Sequence, residues 1–331
     1  MIIVRTPTRA SFCGGGSDLP VFYKKHGGAV LSAGLNRYVY LSIHPFFYRD
    51  RLICKYSKNE LVDNPSELEH PIFRVLLEKF GLNGVEVVST ADVPAGTGLG
   101  SSSSFTVGLL HTLYAYTGKY VSAASLADEA CRTEIDVLGE PIGKQDQYAA
   151  AFGGLNVYRF NKDGSVSVEP VIMSPEAMER MERNLLMFYT GDLRSASQIL
   201  SEQGKNVVTD NDMEKAQLDI CKMTDELHKE LISDNIDALG GILHAGWEQK
   251  RKLASGITNP LINDAYDNAL AAGASGGKLL GAGGGGFLLF YVPEHRHNAV
   301  KNALSHLTYM QFGFSRNGST VIYVGDKPNR S

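Results

Sequence analysis

No stretch of this chain is apolar for long enough to cross a bilayer, and its first residues, Met1-Ile2-Ile3-Val4-Arg5, lack the charged and apolar regions of a signal peptide. Cysteine is sparse. Cys13, Cys54, Cys131 and Cys221 lie far apart and form no C-x-x-C pair, which argues against a zinc knuckle or dithiol motif and for reduced, mostly buried thiols. An excess of one charge sign is missing too: 21% charged residues and a net charge of -4 argue against a nucleic-acid or anionic-membrane binder. Nowhere does a Gly-Lys pair precede Ser or Thr, so the usual phosphate-loop motif is absent. Internal repeats and low-complexity tails are lacking as well. What remains is a globular chain expected in the cytoplasm, whose 331 residues suit two domains or one large one.

Short apolar runs alternate with helical patterns along the chain. Ile2–Val4, Tyr38–Ile43, Leu52–Lys55 and Val85–Val88 read as strands, and Ser101–Thr117 and Ser122–Leu138 as helices that end on Gly118 and Gly139. A turn at Asn161–Gly164 separates Gly154–Phe160 from Ser165–Val171, which predicts a hairpin. The polar, methionine-rich stretch before strand Leu185–Tyr189 places a boundary near 172–184. Beyond it come long helical patterns to about Leu253, a helix near Pro260–Ala272, a strand Phe287–Val292, another helix and a last strand Thr320–Val324.

The most informative stretch is Pro94-Ala95-Gly96-Thr97-Gly98-Leu99-Gly100-Ser101-Ser102-Ser103-Ser104, between the strand at Val85–Val88 and the helix from Ser101. Its glycines would let the backbone approach an anion, and the free N–H groups and positive dipole end of the helix would attract one. One cap and one turn would need fewer glycines and serines, so phosphate binding is the better reading. A second cluster, Gly281-Ala282-Gly283-Gly284-Gly285-Gly286, formally satisfies G-x-G-x-x-G but runs directly into the strand-like Phe287-Leu288-Leu289-Phe290-Tyr291-Val292. A dinucleotide fingerprint would open a helix. The cluster is therefore expected as a second backbone wall around a ligand, Gly283 and Gly284 among its contacts.

Arg9 precedes a third loop, Gly14-Gly15-Gly16-Ser17-Asp18, which puts a cation and a carboxylate around flexible backbone. Asp18 could be a turn residue or could accept hydrogen bonds from sugar hydroxyls. By spacing alone, Glu134 reads as a solvated helix residue and Asp146 as a first-turn residue favoured by the helix dipole. Phosphoryl transfer from ATP would give both another use, since it requires an oxygen ligand for Mg²⁺ and a group to take or orient the acceptor's proton.

Taken in order, Arg9…Gly14-Gly15-Gly16-Ser17-Asp18, the 94–103 loop, Gly143…Asp146-Gln147 and Lys278-Leu279-Leu280-Gly281 through Gly286 resemble the GHMP kinases over nearly the whole chain. The resemblance implies an α+β fold, with an N-terminal ATP-binding domain like the second domain of ribosomal protein S5 at 1–178 and a ferredoxin-like C-terminal domain at 179–331. ATP would lie in the cleft between them, as co-substrate alongside Mg²⁺. It implies ATP contacts from Pro94, Gly96, Thr97, Gly98, Leu99, Gly100, Ser101, Ser102 and Ser103, and metal ligands Ser102 and Glu134. Asp146 and Arg9 would be catalytic. Gly15, Gly16, Ser17 and Asp18 would face the sugar.

The first motif departs from galactokinases, whose glutamate and histidine are replaced by Gly15 and Gly16. It is most similar to the branch that holds D-glycero-D-manno-heptose 7-phosphate kinases and the kinase part of fucokinases. That implies phosphorylation of an anomeric hydroxyl, with a small sugar phosphate as partner, in the synthesis of nucleotide-activated heptose for lipopolysaccharide or capsule. Lys144 is the first candidate for the substrate's own phosphate, with Arg37 and Arg194 behind it. A silent ATP and sugar sensor of the same fold, and a decarboxylase of phosphorylated mevalonate, are the rival readings. Monomer and homodimer both stay open; no nucleic acid or membrane partner is expected.

Overall fold

In the computed structural model, which describes residues 1–191 and 196–325, the apolar runs become two sheets. The strands are β1 (Ile2–Cys13), β2 (Gly28–Pro45), β3 (Leu52–Lys55), β4 (Asn59–Val62), β5 (Val85–Ala91), β6 (Leu155–Phe160) and β7 (Val166–Pro170). They continue with β8 (Leu185–Tyr189), β9 (Gly276–Leu279), β10 (Phe287–Tyr291), β11 (Thr308–Met310) and β12 (Thr320–Val324). The helices of the first part are α1 (Pro20–His26), α2 (Pro71–Phe80), α3 (Ser101–Tyr116), α4 (Ala123–Cys131) and α5 (Gln145–Phe152). Those of the second are α6 (Pro175–Asn184), α7 (Ala196–Thr209), α8 (Asn211–Ile232), α9 (Ala238–Lys250), α10 (Pro260–Ala271) and α11 (His297–Ala303). The α+β expectation holds. None of the described helices is long and apolar enough to cross a membrane.

The larger sheet runs β12-β1-β2-β5-β3-β4, with the β6–β7 hairpin attached to the first half of β2. β1 is far longer than the Ile2–Val4 expected, because Thr6 and Thr8 continue the buried face of Ile2, Val4, Ala10 and Phe12 and, like Ser11, are buried and bonded. Its length carries Arg9 into the middle of the molecule. The smaller sheet is antiparallel in the order β11-β8-β10-β9. α3 lies against β1 and β2 and is covered by α2, α4 and α5. Val107, Leu109, Leu110 and Leu113 on it have no exposure, and Thr106 and Thr112 are buried with them, so most of the helix lies in the core.

Two details differ from expectation. The last strand, foreseen within 179–331, returns to the first sheet and pairs antiparallel with β1, where Val321 packs on the core beneath α3. The helix expected over Ser122–Leu138 is α-helical only to Cys131 and then widens into a π-helical turn, Arg132–Val137. Cys13, Cys54 and Cys131 are buried free thiols.

The two glycine clusters of the sequence meet backbone to backbone. Gly98 (φ +85°) and Gly281 (φ +82°) are both left-handed, and a Cβ on Gly281 would lie 2.5 Å from the Gly98 Cα. Gly118 has nearly the same φ, +72°, with nothing within 4 Å of its Cβ position. Gly118→Ala should therefore cost only the left-handed strain, about 1–2 kcal/mol. Gly281→Ala adds the collision and should cost at least about 1 kcal/mol more. Denaturant unfolding of both variants checks this; equal losses would mean that the two loops do not touch.

Candidate active site

Between the two sheets lies a cleft of about 1130 Å³. β1 supplies its centre through Arg9, which is 5% exposed. The Arg9 backbone N–H donates to Leu99 O at 2.9 Å, and its Nη1 donates to Gly98 O. The guanidinium also grips Asp146 with two parallel bonds, Nε to Oδ1 at 2.8 Å and Nη2 to Oδ2 at 2.9 Å. Fork-to-fork pairing of this kind fixes orientation as well as charge. Asp146, in the first turn of α5, keeps a quarter of its side chain open to the cleft. Gly100 sits directly over the pair: its Cβ position is 3.1 Å from Asp146 Oδ2.

From Gly100, itself left-handed, α3 begins at Ser101, so Ser101, Ser102 and Ser103 line the cleft around the helix N-terminus. The π-helical turn carries Glu134 to the same wall, where it is 2% exposed. Its Oε2 accepts from Gln147 Nε2 at 2.6 Å, and the nearby Ser103 and Thr106 hydroxyls favour its charged form. Burial nevertheless pushes the carboxyl up to about 7, and the Asp146 charge adds to the rise. π-turns of this sort are frequent at functional sites.

Beside Asp146, at the start of α5, Asp18 Oδ1 accepts from Gly16 N at 3.0 Å and from Gln145 Nε2 at 2.9 Å, while Oδ2 accepts from Gln145 N at 3.1 Å. Burial pushes this carboxyl up to about 6. The carboxylate is thus clamped to the start of α5 rather than waving in a loop. Two lysines that sequence reasoning passed over also face the cleft, Lys250 and Lys278. Burial, with each other and Arg9 as like-charged neighbours, holds Lys250 well below the usual lysine range; burial first, then Arg9, brings Lys278 to about 8 against the pull of Cys13. Lys278 was visible as the residue leading into the second glycine cluster; Lys250 had no local signal.

Of the residues singled out in the sequence, the cleft gathers Arg9, Gly15, Gly16, Asp18, Pro94, Gly96, Gly98, Gly100, Ser101, Ser102, Ser103, Glu134, Asp146 and Gly283. The others are not part of its lining. The Ser17 hydroxyl is tied to Ala29, donating to its O and accepting from its N, and is fully buried. Thr97 donates to Pro94 O, Leu99 is core, and Gly284 N donates to Ile257 O, so these three shape the loops from behind. Lys144 turns away from the cleft: its Nζ donates to Gly164 O at 2.6 Å over the Tyr23 ring. Arg37 is spent on the carbonyls of Asn36 and Gln311. Arg194 lies outside the described residues.

Because Glu134 ionises near 4.5 when unfolded and at about 7 when folded, the folded chain holds a proton that the unfolded chain has lost. Its contribution to stability is complete below pH 4.5 and lost as pH rises through 7. Glu134→Gln removes that loss. The variant should gain on its parent by on the order of 3 kcal/mol between pH 4.5 and 7.5. Denaturant titrations without nucleotide measure the difference, and a gap independent of pH would contradict the burial.

The model of the GHMP kinases N terminal domain matches residues 66–154, and that of the GHMP kinases C terminal domain matches 223–308. The D-glycero-alpha-D-manno-heptose 7-phosphate kinase of Campylobacter jejuni is 29% identical over 96% of this chain and 97% of its own. The bifunctional fucokinase/GDP-fucose pyrophosphorylase of Arabidopsis thaliana is 26% identical over 88% of this chain, which spans 30% of that longer protein. A solved D-glycero-D-manno-heptose 1-phosphate kinase from Bacteroides thetaiotaomicron superposes with a TM-score of 0.81 at 25% identity, covering 98% of this chain and all of that one. The serine loop, the Arg9–Asp146 pair and both glycine clusters thus belong to a phosphotransferase, and the chain is a member of the GHMP kinase family.

Proposed function

We propose that this kinase transfers the γ-phosphoryl group of ATP to the anomeric hydroxyl of D-glycero-D-manno-heptose 7-phosphate, giving the 1,7-bisphosphate. The observation that carries the reading is the Arg9–Asp146 pair, open to the cleft at the foot of the serine loop. Asp146 would receive or orient the hydroxyl proton while the hydroxyl oxygen attacks the γ-phosphorus and the bond to ADP breaks. Arg9 would hold both carboxylate oxygens in place. Ser101, Ser102, Ser103 and the free N–H groups of α3 would take the ATP phosphates.

Glu134 and Ser102 suit Mg²⁺. Both offer oxygen, and Glu134 is a buried carboxyl served by neutral donors. Among the described residues no three His, Cys, Asp or Glu side chains form a metal cage, so water and phosphate oxygens would complete the shell. When bound, the ion neutralises charge on the phosphates. Asp18 retains acceptor capacity towards the cleft for a sugar hydroxyl.

Heptose is favoured by the Campylobacter relative, which matches end to end. The names of the two heptose kinases differ in where the acceptor carries its phosphate, position 7 or position 1, and agree that it carries one. A 1,7-bisphosphate would feed the synthesis of nucleotide-activated heptose for a surface glycan. ATP-consumption assays on heptose 7-phosphate, heptose 1-phosphate, free heptose and free fucose test the reading. Turnover fastest on the 7-phosphate is expected; fucose turned over as fast would refute the substrate. Asp146→Asn should lower kcat by about 10²- to 10⁴-fold with ATP affinity retained. Full turnover in that variant would remove Asp146 from its role.

A further inference from the structure

Lys250 and Lys278 are 8% and 7% exposed, and both line the cleft. Neither has a carboxylate within salt-bridge distance among the described residues. Lys250 Nζ donates to Gly281 O, and Lys278 Nζ donates to Phe12 O at 3.0 Å. Ammonium groups this deep are ordinarily paired, because a backbone carbonyl only partly offsets lost hydration. Asp146 is already committed to Arg9, and Asp18 to Gly16 and Gln145. The wall formed by the end of α9 and β9 is thus rich in cation with no anion assigned to it.

It meets the serine loop at the seam where Gly281, bonded to Lys250, packs on Gly98, but its lysines come from other elements. The serines and Glu134 belong to α3 and the π-turn of the first layer, whereas both lysines belong to the second. Lys278 reaches the carbonyl of Phe12, just before the Gly14–Asp18 loop, and Arg9, Asp18 and Asp146 are all among the charges acting on Lys250. With Lys144 and Arg37 turned away, these lysines are the described cations other than Arg9 that line the cleft. Resting on the sugar-phosphate kinase reading above, we infer that Lys250 and Lys278 form a second anion subsite, which takes the phosphoester the sugar already carries. A phosphate there offers oxygen acceptors to both ammonium groups at once. It also distinguishes a sugar phosphate from a free sugar, which would leave two buried cations unpaired.

Lys250→Met and Lys278→Met remove the charge at nearly constant length, and thermal midpoints at or above the parent's would verify the fold. Each should raise KM for heptose 7-phosphate about 10- to 150-fold, the range for a lost charged hydrogen bond. KM for ATP, and KM for the heptose without its phosphate, should not change. A raised KM for ATP with equal losses on both acceptors would assign the lysines to the nucleotide and overturn the inference, as would unchanged constants. Calorimetry with inorganic phosphate, without nucleotide, decides independently of turnover. Binding lost in both variants supports the subsite, and equal binding overturns it. Should the parent turn over no heptose phosphate, the substrate reading fails while the calorimetric result still stands.

Discussion

Arg9 is the residue through which the parts of this molecule are held in register. Nearly buried on β1, it bonds the Gly98 and Leu99 carbonyls on one side and both oxygens of Asp146 on the other. Strand, glycine loop and the first turn of α5 are thereby set around one guanidinium. A planar cation with five donors can do this; lysine, with a point charge, could not keep the loop and the carboxylate aligned together.

A second constraint is the lack of room between the two layers. Gly98 lies against Leu280 and Gly281, and Gly286 against Thr97, at separations that leave no space for a Cβ. The contact brings Lys250, bonded to Gly281, beside the loop bonded to Arg9. Glycines that in the sequence suggest a ligand wall thus serve partly as the seam between layers, and the cleft opens on either side of it.

The cleft also gathers charges under opposite strain. Glu134 and Asp18 are buried carboxyls pushed up towards neutrality, while Lys250 and Lys278 are buried amines pushed down towards it. Paired with one another, they would cancel. Instead, each is held by neutral donors or backbone carbonyls at the lining of the cleft, and shifted groups of this kind cluster at functional sites. In the proposed reaction a metal–triphosphate would relieve Glu134 and an anionic acceptor would relieve the lysines.

Much was legible in the chain itself. The serine loop, the hairpin around Asn161–Gly164, the strand Leu185–Tyr189 and the family resemblance follow from local pattern and from motifs in a fixed order, because turn chemistry, helix starts and alternation are written within a few residues. The partners of charged side chains were not. Whether Lys144 faces a substrate or the Gly164 carbonyl, whether Ser17 faces a sugar or Ala29, and whether Lys250 faces solvent or the cleft depend on residues 12 to more than 30 positions away. The return of β12 to the first sheet and the π-turn that seats Glu134 are likewise decided by packing. Sequence determined which chemical groups this protein owns and the local elements that bear them. Tertiary structure alone decided which of them share the cleft, because burial and long-range pairing, rather than spacing, set where a charge can point.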